Sequence, residues 1–277
     1  MIIYLVRAAK RFAVLIPGIV IAYISVRDIF PAFDKRLPLA LAIFATYVLG
    51  AYLLIPVLIR VIRIIAPAHH LQSYSVTPDG FASDPVNIGI IGSKAALITA
   101  MEVAGWSVAD EHSLRNTTRQ IISGVLNRSY PTAPMSRLYL FGRKQDIGFE
   151  IPTEGGRGRR HHVRFWATTY GGGDTFNFGT VEWHKRKRHT SGKGTLWVGA
   201  ASQDIGFAFI RHNVQLTHMI HPDTNAERQL IIDGLERAKL VRDVRSTRLR
   251  RPYKLTNRAW RGSLHTDGLL KIVKLKT

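Results

Sequence analysis

Leu216-Thr217-His218-Met219-Ile220-His221-Pro222-Asp223-Thr224-Asn225-Ala226-Glu227-Arg228 is the stretch on which the fold turns. Gln215 to Ile220 reads as a short strand, and Pro222 ends it. Asp223 or Thr224 then caps a helix whose apolar positions are Ala226, Leu230, Ile231 and Leu235. That strand, turn and helix would put His218, His221 and Asp223 at the mouth of a strand end, with Glu227 one turn into the helix. Strand ends are where side chains converge on a ligand without joining the packed core. The same residues also suit a plain helix cap with strand-end histidines that satisfy backbone groups.

Working towards the N-terminus, the segments between residues 137 and 210 read as strands: Arg137 to Gly142, Asp146 to Ile151, His161 to Ala167, Thr195 to Ala201 and Ile205 to Ile210. Helical patterns precede them, one opening at Ser93 after the short apolar strand Asn87 to Gly92, the other over His112 to Asn127. Helices at both ends with consecutive strands between them predict an α+β domain with a mostly antiparallel sheet and flanking helices. Side chains alternate along a strand, so His162 and Arg164 share one face while His161, Val163 and Phe165 share the other. Only one histidine of the pair can then join a given site, and the polar face favours His162.

The first 70 residues differ in kind. Leu37 to Ile59 is a run of 23 residues without a charge, and about 20 apolar residues cross a bilayer. Phe12 to Val26 is a shorter charge-free run that follows Arg7, Lys10 and Arg11. A cleaved signal peptide shares that layout, but no small-residue cleavage site follows Ile24. Two transmembrane helices are expected, at about 12–30 and 37–59 within residues 1–66. A linker over 67–83, a soluble domain over 84–241 and a basic C-terminal segment over 242–277 would follow. Lys and Arg are in excess at the two outer ends of this hairpin, which puts both ends and the soluble domain on the cytoplasmic side of the membrane.

The chain has 277 residues, a net charge of +20 and no cysteine. Thiol nucleophiles and thiolate metal sites are thereby excluded. Arg157 to Arg160, Lys185 to Arg188 and the segment from Arg242 to Lys276 carry much of the charge. A domain held beside a membrane meets anionic lipid headgroups first, so these lipids are the expected partner. Nucleic acid is not expected, because no recognisable module or set of stacking aromatics accompanies the charge. Gly89-Ile90-Ile91-Gly92-Ser93-Lys94 lacks the spacing of a phosphate loop. No Gly-x-Ser-x-Gly elbow is present, and nothing marks Ser136 or Ser202 as a nucleophile.

Several stretches, in this order, resemble the C-terminal domain family of LssY-type bacterial membrane proteins. They are Asp84-Pro85-Val86-Asn87 with Gly92-Ser93, Tyr130 to Pro134, Leu138 to Asp146, Arg160 to Trp166, Leu196 to Ala201 and His218 to Arg228. The resemblance covers roughly Asp84 to Leu240. It implies a domain joined to membrane-spanning segments, linked loosely to secretion, and thus an envelope or secretion partner protein. The family motif reads His-His-Ile-Asp-Pro-Asp; here Met219 stands for its second His and His221 for its first Asp, and Asn225 for a later Asp.

Together these readings predict a membrane-anchored metal-dependent hydrolase of a lipid or other phosphate ester. His162, His218 and Asp223 would hold zinc or manganese, with His161 and His221 as further ligands. Glu227 or Asp204 would be the general base beside Arg164, and Arg143, Arg164 and Trp197 would bind substrate. The competing expectation is a non-enzymatic, membrane-tethered binding or secretion-accessory protein that uses its basic surface.

Overall fold

The structure, a computed structural model, describes residues 19–55, 57–58, 73–78, 81–111, 113–126, 130–153, 159–169, 195–210, 216–256 and 263–276. The chain forms two compact units: one of residues 1–70 with 78–81 and 210–215, the other of the remaining residues. The basic run Lys185 to Arg188 lies outside the described residues, as do parts of both expected spans.

In the first unit, helix α1 (Phe30–Asp34) follows a π-helical turn at Ser25–Ile29, and helix α2 (Leu39–Val48) runs into another at Leu49–Leu54. The residues turned inward are small: Ser25, Ala42 and Ala51 are buried, and a side chain on Gly50 would start 3.8 Å from Ser25 Oγ. Large apolar side chains point outward, among them Val26, Ile43, Phe44 and Leu53. Among the described residues no helix is long and apolar enough to cross a membrane. The ten residues of α2 rise about 15 Å, half of a hydrocarbon core of about 30 Å. The π-helical turns break the α ladder that the uncharged run led us to expect, so the transmembrane hairpin is not supported by a continuous α-helix.

The second unit is the mixed α+β domain. Its strands are β1 (Tyr74–Val76), β2 (Ala82–Pro85), β3 (Ile88–Ile91), β4 (Ser107–Val108), β5 (Tyr139–Leu140), β6 (Arg143–Lys144) and β7 (Ile147–Pro152). They continue with β8 (Arg159–Thr169), β9 (Thr195–Phe209), β10 (Leu216–Ile220), β11 (Val241–Arg248), β12 (Tyr253–Thr256), β13 (Ser263–Thr266) and β14 (Leu269–Leu275). The large sheet runs β11-β14-β3-β9-β8-β7-β4, with β10 on the far end of β9, and β14 with β3 is its parallel pair. Helices α3 (Lys94–Val103), α4 (Leu114–Val125) and α5 (Thr224–Arg237) complete the unit.

Local chemistry accounts for these elements. Ser93, Ser113 and Asp223 each accept a backbone N–H with their side chains and so start α3, α4 and α5. Phe141 and Gly142, both with positive φ, make the two-residue turn between β5 and β6, which cuts short the strand expected to run to Gly142. The two strands expected over Thr195 to Ile210 are one strand, because Ser202, Gln203 and Asp204 keep their pairing with His162, His161 and Arg160. Residues 242–277 are not an appendage: β11 and β14 are strands of the large sheet. β1 and β2 likewise place part of the expected linker within the fold.

The alternation along β8 and β9 divides the interior. Val163, Phe165, Ala167, Trp197 and Ala201 pack with Phe149 under α3 and α5. On the opposite face Trp166, Val198 and Ala200 pack with Val86, Leu138, Leu140 and Phe141. The second face turns polar towards the start of β8.

Candidate functional site

Strand register builds that polar patch row by row. Glu150, His162 and Ser202 stand side by side on β7, β8 and β9, and Arg160 stands beside Asp204 in the next row. Arg164 lies between Gly148 and Ala200, whose lack of bulk leaves room for the guanidinium. Asp84 at the end of β2 and Ser136 ahead of β5 close over this patch. Asp84, Glu150, His162, Arg164, Ser202 and Asp204 are all buried.

His162 is the centre of the cluster. Its Nε2 lies 2.9 Å from Ser202 Oγ and 3.5 Å from Asp84 Oδ2, and its Nδ1 lies 3.5 Å from Asp204 Oδ2. Arg164 Nη1 donates to Asp84 Oδ2 at 2.7 Å, while its Nε and Nη2 donate to the carbonyl and hydroxyl of Ser136. Arg160 is shared: Nη1 donates to Glu150 Oε2 at 2.5 Å and Nε to Asp204 Oδ2 at 3.3 Å.

Burial alone would raise the Asp84 pKa, but the charge of Arg164 and the hydrogen bond from His162 leave it below the ordinary value. Burial pushes the Glu150 carboxyl up to about 7 against the opposing pull of Arg160. His218 on β10 is held below its ordinary value by burial, while Asp204 pulls the other way, so its imidazole is neutral at neutral pH. Its ring lies tilted on Phe207 at 4.9 Å between centroids.

Of the residues expected from sequence, His162, Arg164 and Asp204 meet here, and His218 lies near enough to feel the charges of Asp204, Arg160, His162 and Arg164. The others are elsewhere. Asp223 is exposed and caps α5 through Oδ1, and His221 bonds locally to the backbone of the same turn. Among the described residues no group of three or more His, Asp and Glu side chains is placed to hold a metal ion, so the expected His162, His218 and Asp223 set does not assemble. His161 points to the helical face of the sheet, where Nδ1 meets Glu227 Oε2 at 2.8 Å; the sheet separates that pair from His162.

Two expected substrate contacts are also structural. Trp197 is fully buried in the core and donates its indole N–H to Gly92 O. Arg143 is tied to Asp146 and to the carbonyl of Ala167. Glu150, Asp84 and Ser202 were missed. Glu150 had a signal: with Ile147, Phe149 and Ile151 alternating to the core, a carboxylate on the opposite face of a central strand needs a partner.

A family model described as LssY C-terminus matches residues 68–270. No curated protein and no solved structure matches the chain.

Proposed function

The chain belongs to the LssY C-terminus family, and from this membership and the buried cluster we propose a membrane-anchored bacterial envelope protein whose folded domain hydrolyses an ester of an anionic amphiphile, a lipid or another phosphate ester. The observation that carries the reading is the placement of His162. One ring nitrogen is 2.9 Å from the Ser202 hydroxyl and the other faces the Asp204 carboxylate at 3.5 Å. A hydroxyl within hydrogen-bond reach of a base, with a carboxylate facing the base's other nitrogen, supplies the parts of an activated nucleophile. Arg164 and Arg160 are the cations of the cluster, and for either to bind a phosphate or an oxyanion it would have to exchange a carboxylate partner for the substrate. The stretches that resemble the family supply Asp84 from one and Arg160, His162 and Arg164 from another.

Anchoring rests on the N-terminal unit. Its helices turn small residues inward and large apolar ones outward, an arrangement suited to lipid rather than water. The expected orientation places the basic domain on the cytoplasmic side of the inner membrane, beside anionic headgroups. An envelope or secretion partner protein fits the same position.

The test uses the full chain in mixed micelles with anionic lipid, assayed against phosphate and carboxylate esters beside a His162→Ala variant, with zinc and manganese measured in the same preparation. Hydrolysis lost in a folded variant supports the reading; a wild-type chain inert towards the whole panel ends it. One observation favours a second reading, a non-enzymatic tethered binding module: Ser202 is 0% and His162 2% exposed. In that reading cluster substitutions change stability and leave membrane or partner binding intact.

A further inference from the structure

Two buried atoms of the cluster have no hydrogen-bond partner among the described residues, Glu150 Oε1 and His162 Nδ1. The two residues face each other across β7 and β8. Arg160 and Asp204 connect them: Glu150 Oε2 accepts from Arg160, Arg160 Nε donates to Asp204 Oδ2, and that oxygen lies 3.5 Å from His162 Nδ1.

The charges around them do not balance. Three carboxylates, Asp84, Glu150 and Asp204, share two guanidiniums, Arg160 and Arg164. With every carboxylate ionised and His162 acting as a neutral base, the cluster carries one excess negative charge, and buried net charge is expensive. Binding one proton removes it. Asp84 has Arg164 to itself at 2.7 Å, and Asp204 faces both Arg160 and His162. Glu150 is the carboxylate with an oxygen left over.

We infer that Glu150 holds a dissociable proton and is a positioning residue for His162, acting through Arg160 and Asp204. This rests on the reading of His162 as the base. With Glu150 protonated, Arg160 is committed to Asp204 and weakens the pull of that carboxylate on the imidazole. When Glu150 releases its proton it competes for Arg160, and Asp204 is freed to hold the His162 ring through Nδ1. The groups facing Glu150 are Arg160, Arg164 and His162 on β8 and Asp204 on β9, with Asp84 beyond Arg164 and His218 beyond Asp204. Burial, which pushes this carboxyl up to about 7, sets the transition near neutral pH.

Imidazole NMR of the full chain, histidine-labelled and held in micelles, tests this, with the His162 signals assigned by their loss in His162→Gln. In wild type they shift as Glu150 titrates; in Glu150→Gln that inflection disappears, and in Glu150→Asp it returns at a different pH. His162 signals that follow the same pH profile in folded Glu150→Gln as in wild type overturn the inference. Should that variant not fold, the wild-type denaturation midpoint decides: it falls from about pH 6 to about pH 8 if Glu150 is the proton carrier, and a flat profile overturns the inference. None of these measurements needs turnover. Coupling without hydrolysis of any ester removes the hydrolase reading alone; hydrolysis without coupling removes the role of Glu150 alone.

Discussion

Arg164 Nη1 donates to Asp84 Oδ2 at 2.7 Å in a place where both residues are buried. The pair ties β8 to the end of β2 and closes the polar face over His162. Removing one member strands a charge, which typically costs about 3–5 kcal/mol, whereas replacing both with apolar residues of like size is often neutral. Asp84→Ala is expected to lower the unfolding free energy by an amount in that range. Asp84→Leu combined with Arg164→Met should recover most of the loss, as denaturant unfolding of both variants would show.

Stability should depend on pH through Glu150. Its folded value, about 7, lies above the ordinary 4.5, so folding binds a proton. The contribution is fully present below about 4.5 and is lost as pH rises through 7. The size is on the order of 3 kcal/mol, from roughly 1.4 kcal/mol per pKa unit. Glu150→Gln cannot release a proton and should flatten the profile between those limits; equal slopes in the two chains would refute the assignment.

Gly199, on the helical face of the sheet, sits directly against side chains of both neighbouring strands. A Cβ there would lie 2.6 Å from Phe165 Cε1 and 2.7 Å from Ile88 Cγ2. Gly199→Ala must therefore displace a buried ring or a strand side chain, at a cost of about 1–3 kcal/mol. A thermal melt unchanged from wild type would show that the core yields there freely.

Asp223 separates a cap from a ligand. Its carboxylate satisfies the N–H groups of Asn225 and Ala226, so Asp223→Ala should cost about 1 kcal/mol and leave the hydrolytic rate per folded molecule unchanged. A selective loss of rate without loss of stability would restore it to the site.

The strand, proline and capped helix over residues 216–237 were legible because each carries a local signal: apolar alternation, a missing N–H, and a capping carboxylate. The opposite faces of His161 and His162 were legible for the same reason, since alternation is a property of the strand itself. The cluster was only half legible. Arg164 stands out as a charge in an apolar strand, whereas Asp204 fell between two expected strands, and the meeting of both with Asp84 depends on pairing partners far away in sequence. Pairing also merged the two strands expected over Thr195 to Ile210, a result no single strand dictates. The metal expectation joined His218 and Asp223, close in the chain, to His162 from a distant strand. The turn at Pro222 instead leaves Asp223 capping α5, and β8 turns His161 to Glu227 on the other side of the sheet.

The most direct measurement is kcat/KM for the responsive ester in His162→Ala and Ser202→Ala chains that still unfold cooperatively. Loss of the base or of the hydroxyl it faces should lower the rate by at least about 100-fold, the lower end of what a positioned acid or base contributes. A rate within a few-fold of wild type in either folded variant would contradict the account, and the cluster would then be a buried polar clamp within the sheet.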